Sequence, residues 1–407
     1  GGLILIRLAG GVYYEQCMCP IWQELFGSGG RAATAIARLG GQVALDTYAD
    51  CTAEAILRQR AVLEGFSVAS QAINQSLHFR YTHGLAKPSI QPVPETSSTT
   101  LQITAENVVR FGLLEGDCVV DARNAVYDPQ SSRHPVPFHE NGSKAERLAL
   151  VLNRSEAEAL HGSDELSAAD LARALSKSHN AEIVIIKMGP AGALLFHDGQ
   201  LHHIPSFLTS QVWKIGSGDV FVASFAHFWL EEGLTPLKAA MQASRATAYY
   251  CETKGFASKA ELETYHPAAA SLSKKSRTGR PPLVYLAGPF FSLAQLWLVE
   301  EARARLLDMG LKVFSPVHDV GHGPANEVVQ KDLDAIHECD LMLAIGDGLD
   351  AGTIYEIGYA RALKKPVIMY VENESEEDQK MMAGSSCTLT KDFVTAIYQT
   401  AWKAAEL

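Results

Sequence analysis

A chain of 407 residues exceeds one ordinary domain, because hydrophobic cores stop growing near ~250–300 residues, and two or three domains are expected. With 47% hydrophobic and 20% charged residues, a disordered or fibrous chain is excluded. A formal charge of -11, from 35 basic and 46 acidic residues, supplies no footprint for nucleic acid or an anionic membrane, so small molecules are the expected partners.

Near the start, Leu3-Ile4-Leu5-Ile6 is too short for a signal segment, and no run of ~18 apolar residues follows. The 7 cysteines show no C-x-x-C spacing, so neither disulfides nor structural zinc are expected, and a cytoplasmic protein is. A glycine-rich run, Gly27-Ser28-Gly29-Gly30-Arg31-Ala32-Ala33, leads to Arg38-Leu39-Gly40. Leu77-His78-Phe79-Arg80-Tyr81 alternates apolar and polar residues, which predicts an antiparallel strand with one wet face in a small accessory sheet or lid. The apolar runs Cys118-Val119-Val120 and Ile183-Val184-Ile185-Ile186, spaced by helical patterns such as Ala168 to Leu175, predict βα units on a mainly parallel sheet.

Ile215-Gly216-Ser217-Gly218-Asp219 precedes a helical run, Val220 to Leu230. Glycines let backbone approach a phosphate, the first free N–H groups favour negative charge, and Asp219 is placed to take a proton from an attacking hydroxyl. As a bare motif it reads equally well as a turn with an N-capping Asp. Phe225, Phe228 and Trp229 fall at core spacing, and the histidines show no metal-binding pattern.

Ala268 to Pro282 reads AAASLSKKSRTGRPP, a linker. The expected domains are therefore 1–267 and 283–407, joined by 268–282. A second βα series follows: strands at Leu283 to Ala287, Lys312 to Ser315, Leu341 to Ile345 and Val367 to Tyr370, with helices at Leu293 to Met309, Glu327 to His337 and Thr353 to Leu363. The first strand breaks at Gly288-Pro289, where open α/β sheets bind ligands. Further on, Asp350-Ala351-Gly352 opens a helix that carries Glu356 among Ile354, Tyr355, Ile357 and Tyr359, and a carboxylate there is costly to bury without a use or a partner. Glu372 to Asp378 reads as a solvated acidic loop.

Gly216-Ser217-Gly218-Asp219-Val220-Phe221, the Gly27 to Gly40 run, Asn153-Arg154-Ser155-Glu156 and Ile186-Lys187-Met188-Gly189-Pro190-Ala191-Gly192 together resemble the signatures of the pfkB-type carbohydrate and nucleoside kinase, or ribokinase, family over residues 3–265. The resemblance implies a ribokinase-like α/β domain using ATP and Mg²⁺. Asp219 would be its base, and Gly216, Ser217 and Gly218 its anion hole. Lys187, Gly189 and Gly192 would lie beside the nucleotide, with Asn153 and Glu156 serving the metal. Glu15, Gly29, Gly30 and Arg31 would face the substrate. Two departures stand out: Trp213-Lys214 replaces the usual Asp-Thr, and Arg31 stands where an Asn is common. Lys214 either substitutes for lost phosphate contacts or marks a site that has lost activity.

Tyr285-Leu286-Ala287-Gly288-Pro289, Lys331-Asp332-Leu333-Asp334 to Asp340-Leu341, and Asp350 to Gly358 resemble the nucleoside 2-deoxyribosyltransferase family over residues 283–403. This resemblance implies a smaller flavodoxin-like or Rossmann-like α/β domain without a cofactor. Glu356 would be the nucleophile on the anomeric carbon, with Asp350 and Tyr285 at the sugar or at Glu356, and Asp332 at the nucleobase. Gly288, Pro289 and Gly352 would line the substrate, and Ser385-Ser386 would offer hydroxyls to phosphate, including that of a neighbouring subunit in a homo-oligomer. The joint expectation is a kinase that phosphorylates a nucleoside or ribosyl compound and a glycosidase that cleaves the nucleotide. Its alternatives are deoxyribosyl transfer with a sugar kinase, and an inactive kinase-like scaffold regulating a hydrolase.

Overall fold

The apolar runs pair as strands in a computed structural model that describes residues 5–131, 133–272, 281–321 and 323–407. Leu3-Ile4, His322 and the centre of the expected linker, 273–280, lie outside the described residues. Contacts divide the chain into two compact units, 1–209 with 213–269 and 210–212 with 270–407.

In the first unit the strands are β1 (Leu5–Ala9), β2 (Tyr14–Cys17), β3 (Trp22–Leu25), β4 (Gln42–Ala49), β5 (Ser67–Ala72), β6 (His78–Tyr81), β7 (Ser89–Gln91), β8 (Leu101–Phe111), β9 (Cys118–Asp128), β10 (Lys144–Asn153), β11 (Ile183–Lys187), β12 (Ala193–His197) and β13 (Gln200–Ile204). Among the described residues they form a 9-stranded sheet in the order β13-β12-β11-β10-β9-β8-β1-β4-β5 and a 4-stranded sheet in the order β3-β2-β6-β7. The large sheet is parallel from β11 through β5, with β12 and β13 added antiparallel at one edge. Its strand β11 and the C-terminal halves of β4, β8, β9 and β10 are buried on both faces, as continuous apolar runs require, while the edge strands β5 and β13 stay partly exposed. The accessory sheet is present, but β6 pairs parallel with β2 and antiparallel with β7, so the antiparallel expectation holds on one side only. Alternation along a strand reports a wet face, not the direction of its neighbours.

β8 and β9 pair in parallel with only 112–117 between them, whereas parallel neighbours ordinarily need about a dozen connecting residues. The strands bend back on themselves. Arg110, near the end of β8, donates to Asp117 at 3.1 Å and to Ser143 Oγ at 3.1 Å, residues that just precede β9 and β10. At the bend Glu106 and Arg123 drop out of the ladder and form an exposed ion pair at 3.5 Å. This fold-back carries Glu115 to Tyr13.

The helix Gly27–Arg38 is built of small residues and packs so tightly on the end of β1 that a Cβ at Gly29 would stand 2.5 Å from the Gly10 carbonyl oxygen. The expected helix from Val220 begins earlier, at Ser217–Ala226, and gives way to a wider turn at His227–Glu231. Phe225, Phe228 and Trp229 are in the core.

In the second unit β14 (Leu283–Ala287), β15 (Lys312–Phe314), β16 (Leu341–Ile345), β17 (Val367–Tyr370) and β18 (Thr388–Thr390) form an all-parallel sheet in the order β15-β14-β16-β17-β18. This is the flavodoxin-like order, with its switch point between β14 and β16. The expected strands and helices are present, joined by β18 and a buried helix at Phe393–Glu406. No described helix is long and apolar enough to cross a membrane.

Candidate functional site

Two clusters of buried polar groups stand at the ends of these sheets, one in each unit. In the first, the helix Ser217–Ala226 starts from Gly216, whose φ of 75° is left-handed. A side chain at Gly216 would also fall on the Arg31 guanidinium, so both the turn and the neighbour demand glycine. The first-turn N–H groups of the helix have no partner within it, and its dipole adds positive potential there. Lys214 Nζ donates to Ser217 Oγ at 2.6 Å, and burial lowers its pKa. Lys187 Nζ lies 3.4 Å from where a Cβ of Gly218 would be. Two ammonium groups and a helix N-terminus thus converge on Gly216–Gly218, an arrangement suited to a polyphosphate.

Asp219 is 9% exposed and both its oxygens are engaged. Oδ2 accepts from Arg31 Nη1 at 2.8 Å and Oδ1 from Gln130 Nε2 at 2.7 Å. Arg31, fully buried, also pairs with Glu15, donates to the Gly27 carbonyl at 3.3 Å and donates from Nε to the Tyr250 hydroxyl at 3.1 Å. Tyr250 in turn donates to the Ile215 carbonyl at 2.8 Å. Burial raises the pKa of Glu15 against the pull of Arg31. The expected base and the expected substrate-facing acid are therefore bridged by one guanidinium.

Beside them, Lys187 donates to Asp128 Oδ2 at 2.6 Å. Burial lowers the Lys187 pKa, but Asp128 and Glu156 outweigh it and hold the ammonium charged. Asn153 and Glu156 form a reciprocal capping box: Glu156 accepts from Asn153 N at 2.8 Å, and Asn153 Oδ1 accepts from Glu156 N at 2.9 Å. Burial and the nearby Asp128 raise Glu156 to about 7. Among the described residues no three His, Cys, Asp or Glu side chains gather as a direct metal-binding set. Gly189 has a φ of 56° in the turn after β11, and Gly192 abuts the Ile204 backbone, so the latter is explained by packing. Gly30 has the Val12 side chain at 3.8 Å from its Cβ position.

In the second unit, Tyr285 in β14 donates its hydroxyl to Glu356 Oε1 at 2.7 Å. Glu356 lies in the helix Ala351–Ala362 and is only partly covered as a residue, yet its carboxyl is largely desolvated. That burial raises its pKa to about 7; the Tyr285 hydrogen bond opposes the rise, and the charges of Asp332 and Asp350 add to it. Burial and Glu356 together raise the Tyr285 pKa, so the phenol remains a donor. Asp350 caps the same helix, accepting at Oδ2 from Thr353 N at 2.9 Å and Thr353 Oγ1 at 3.0 Å. Asp332 Oδ1 is buried without a hydrogen-bond partner among the described residues, and burial raises its pKa.

The other expected ligand contacts divide. Gly352 stands beside Asp350 at the helix start, and Pro289 is buried. A Cβ on Gly288 would meet Ile345 Cβ at 3.1 Å, which makes that glycine a packing residue between β14 and β16. Ser385 and Ser386 are exposed in a turn, with Ser385 Oγ donating to the Met382 carbonyl at 3.1 Å. No contact joins them to Glu356 among the described residues. Sequence reading missed Asp128, Gln130 and Tyr250, although Asp128-Pro129-Gln130 ends a strand beside the helix of Asp219.

Comparisons with known proteins divide the chain along the same line. Residues 146–262 match the model of the pfkB family carbohydrate kinases, and residues 284–386 match that of the nucleoside 2-deoxyribosyltransferases. The Gly27 to Gly40 run lies outside the matched residues. Proteins described as deoxyribokinase from Salmonella typhi and from Salmonella typhimurium strain LT2 are 33% identical to this chain over 96 residues. That stretch is 23% of this chain and 30% of the relatives' length, so the match spans under a third of those proteins. Among solved structures, a Vibrio cholerae O395 fructokinase bound to fructose, ADP and calcium shares 14% identity at a TM-score of 0.48, over 65% of this chain and 99% of its own. A Burkholderia thailandensis nucleoside kinase in complex with inosine shares 16% at 0.47, over 65% and 98%.

Proposed function

For a chain that carries a pfkB-family carbohydrate kinase segment and a nucleoside 2-deoxyribosyltransferase segment, we propose a two-site enzyme that phosphorylates a nucleoside or ribosyl compound with ATP and cleaves the N-glycosidic bond of the product. The observation that carries it is the pairing of each expected catalytic carboxylate with the groups its chemistry needs. Asp219 sits at a cationic helix N-terminus, and Glu356 sits under a phenol donor.

In the first reaction, the substrate hydroxyl takes a place on Asp219 now held by Arg31 or Gln130, and its proton passes to the carboxylate as oxygen bonds to phosphorus. ATP supplies the transferable phosphoryl group, and ADP leaves. The amides of Gly216–Gly218 with Lys214 and Lys187 bear the negative charge of the transferring phosphates. Asn153 and Glu156 would orient the water shell of the accompanying Mg²⁺.

In the second reaction, ionised Glu356 attacks the anomeric carbon as the bond to the base breaks, leaving a glycosyl ester. The departing base takes a proton, with buried Asp332 as the acid in reach of that role. Tyr285 aims Glu356 by holding one of its oxygens. Water then completes hydrolysis, while a second base would complete transfer.

Two specific observations favour other readings. The deoxyribokinase similarity favours 2-deoxyribosyl transfer in which the kinase consumes released sugar. The Glu15–Arg31–Asp219 bridge favours a kinase-like unit that binds nucleotide without turning over. Mass spectrometry of products from a nucleoside panel, with and without Mg-ATP, separates the three. The proposal expects sugar phosphate only with ATP, base exchange without ATP would support transfer, and absence of any phosphorylated product would support the scaffold.

A further inference from the structure

The two donors on Asp219 differ in how readily they can leave it. Arg31, on Oδ2, is fully buried, and the same guanidinium is bonded to Glu15, the Gly27 carbonyl and the Tyr250 hydroxyl. Drawing it away would strand the buried carboxylates of Glu15 and Asp219 without their cation. Gln130, on Oδ1, is an exposed residue that reaches the carboxylate through Nε2 at 2.7 Å. Its side chain can turn outward, and in water the amide recovers its hydrogen bonds.

The backbone around Gln130 holds that amide in place. Its φ of 51° lies in the left-handed region, which a glutamine seldom enters. Pro129 precedes it, its own N–H donates to Asp128 Oδ1 at 3.1 Å, and Asp128 Oδ2 accepts from Lys187. The turn is thus tied to the ion pair beside Gly216–Gly218, and only the Gln130 side chain need move. A strained turn that presents an exposed amide to a buried carboxylate asks for a use. The side of Asp219 that Gln130 covers is also the side open to an incoming molecule, because the other oxygen is walled off by Arg31.

We infer that Gln130 competes with the acceptor hydroxyl for Asp219 Oδ1: its amide fills the place that the hydroxyl takes in turnover and gives it up when the acceptor binds. The inference rests on the kinase reading above and fixes which oxygen of the base works. The acceptor's proton passes to Oδ1 as its oxygen bonds to the γ-phosphorus of ATP and the bond from that phosphorus to ADP breaks. Arg31 stays on Oδ2 throughout. Gln130 therefore opposes acceptor binding, and in doing so sets the acceptor concentration at which the site works.

The test is the initial rate of ADP formation by the full chain at saturating Mg-ATP, less the rate without acceptor. The acceptors are the four common ribonucleosides, their 2′-deoxy forms, ribose and 2-deoxyribose. Gln130→Gly removes the amide and accepts a positive φ without strain, while Gln130→Met keeps the length of the side chain but offers no donor. For each acceptor that the wild type turns over, both variants should lower KM about three- to tenfold and so raise kcat/KM, because the hydroxyl no longer displaces a donor from an ionised group. Loss of a merely structural contact would lower kcat/KM. A kcat/KM that is unchanged or lower in either variant, or a gain that lies in kcat with KM unmoved, would overturn the inference and leave acceptor phosphorylation standing. No acceptor-dependent ADP from the wild type with any of these compounds would overturn both the inference and the kinase reading.

Discussion

Arg31 Nη1 reaches Asp219 Oδ2 at 2.8 Å across 188 residues of sequence, and the same guanidinium closes on Glu15. One cation thus neutralises two buried carboxylates, and neither can lose it without leaving a charge stranded. Arg31→Ala should lower stability by about 3–5 kcal/mol, the usual cost of breaking a buried pair from one side, read as a shift in urea midpoint of the full chain. Arg31→Lys should recover little, because one ammonium cannot reproduce a fork that touches Glu15, Asp219, Gly27 and Tyr250 together. An unchanged midpoint for Arg31→Ala would show that the bridge carries no net stability.

Lys214 replaces the residue usual at its position in pfkB kinases and donates to Ser217 at the helix start. If it serves the phosphates of ATP, Lys214→Met should weaken ATP binding roughly tenfold or more, the worth of a charge-assisted hydrogen bond. Calorimetric titration of the full chain with ATP checks this. Equal affinity would leave Lys214 a structural residue of the turn.

Glu356 must be ionised to attack, and its pKa is raised to about 7. Glycosidic cleavage should therefore rise with pH through about 7 and fall away below it as the carboxyl protonates. Because the Tyr285 hydrogen bond pulls that pKa down, Tyr285→Phe should move the acid limb to higher pH. A pH–rate profile of kcat/KM for both proteins reads the shift directly, and a limb that stays in place or moves down would contradict the assigned role of Tyr285.

The second unit was the more legible from sequence, because β14, β16 and β17 are short, apolar runs separated by helices. Its last strand, Thr388–Thr390, lacks such an apolar run and is an edge strand recognisable only once β17 is in place beside it. In the first unit the glycine-to-helix turns at Gly27 and Gly216 were readable, since few sequences place glycines there without a reason in the backbone. The contacts of Arg31 were not readable: they depend on β2, the helix Gly27–Arg38 and the helix Ser217–Ala226 meeting in three dimensions. Glu115 was likewise invisible, because its burial follows from the sharp bend of β8 and β9 rather than from any local pattern. Asn153 and Glu156 show the opposite hazard. Their spacing matches a metal-positioning motif, and the same spacing makes a capping box, which is the contact the side chains adopt.

The proposed function places two successive reactions on two separate carboxylates of one chain. Its most direct test is time-resolved mass spectrometry of one phosphorylatable nucleoside with Mg-ATP in the wild type, Asp219→Asn and Glu356→Ala. The wild type should yield free base and sugar phosphate, Glu356→Ala should stop at the nucleoside monophosphate, and Asp219→Asn should lose phosphorylation by about 10²–10⁴-fold while still cleaving added monophosphate. Base release at the full rate by Glu356→Ala, or phosphorylation at the full rate by Asp219→Asn, would contradict it.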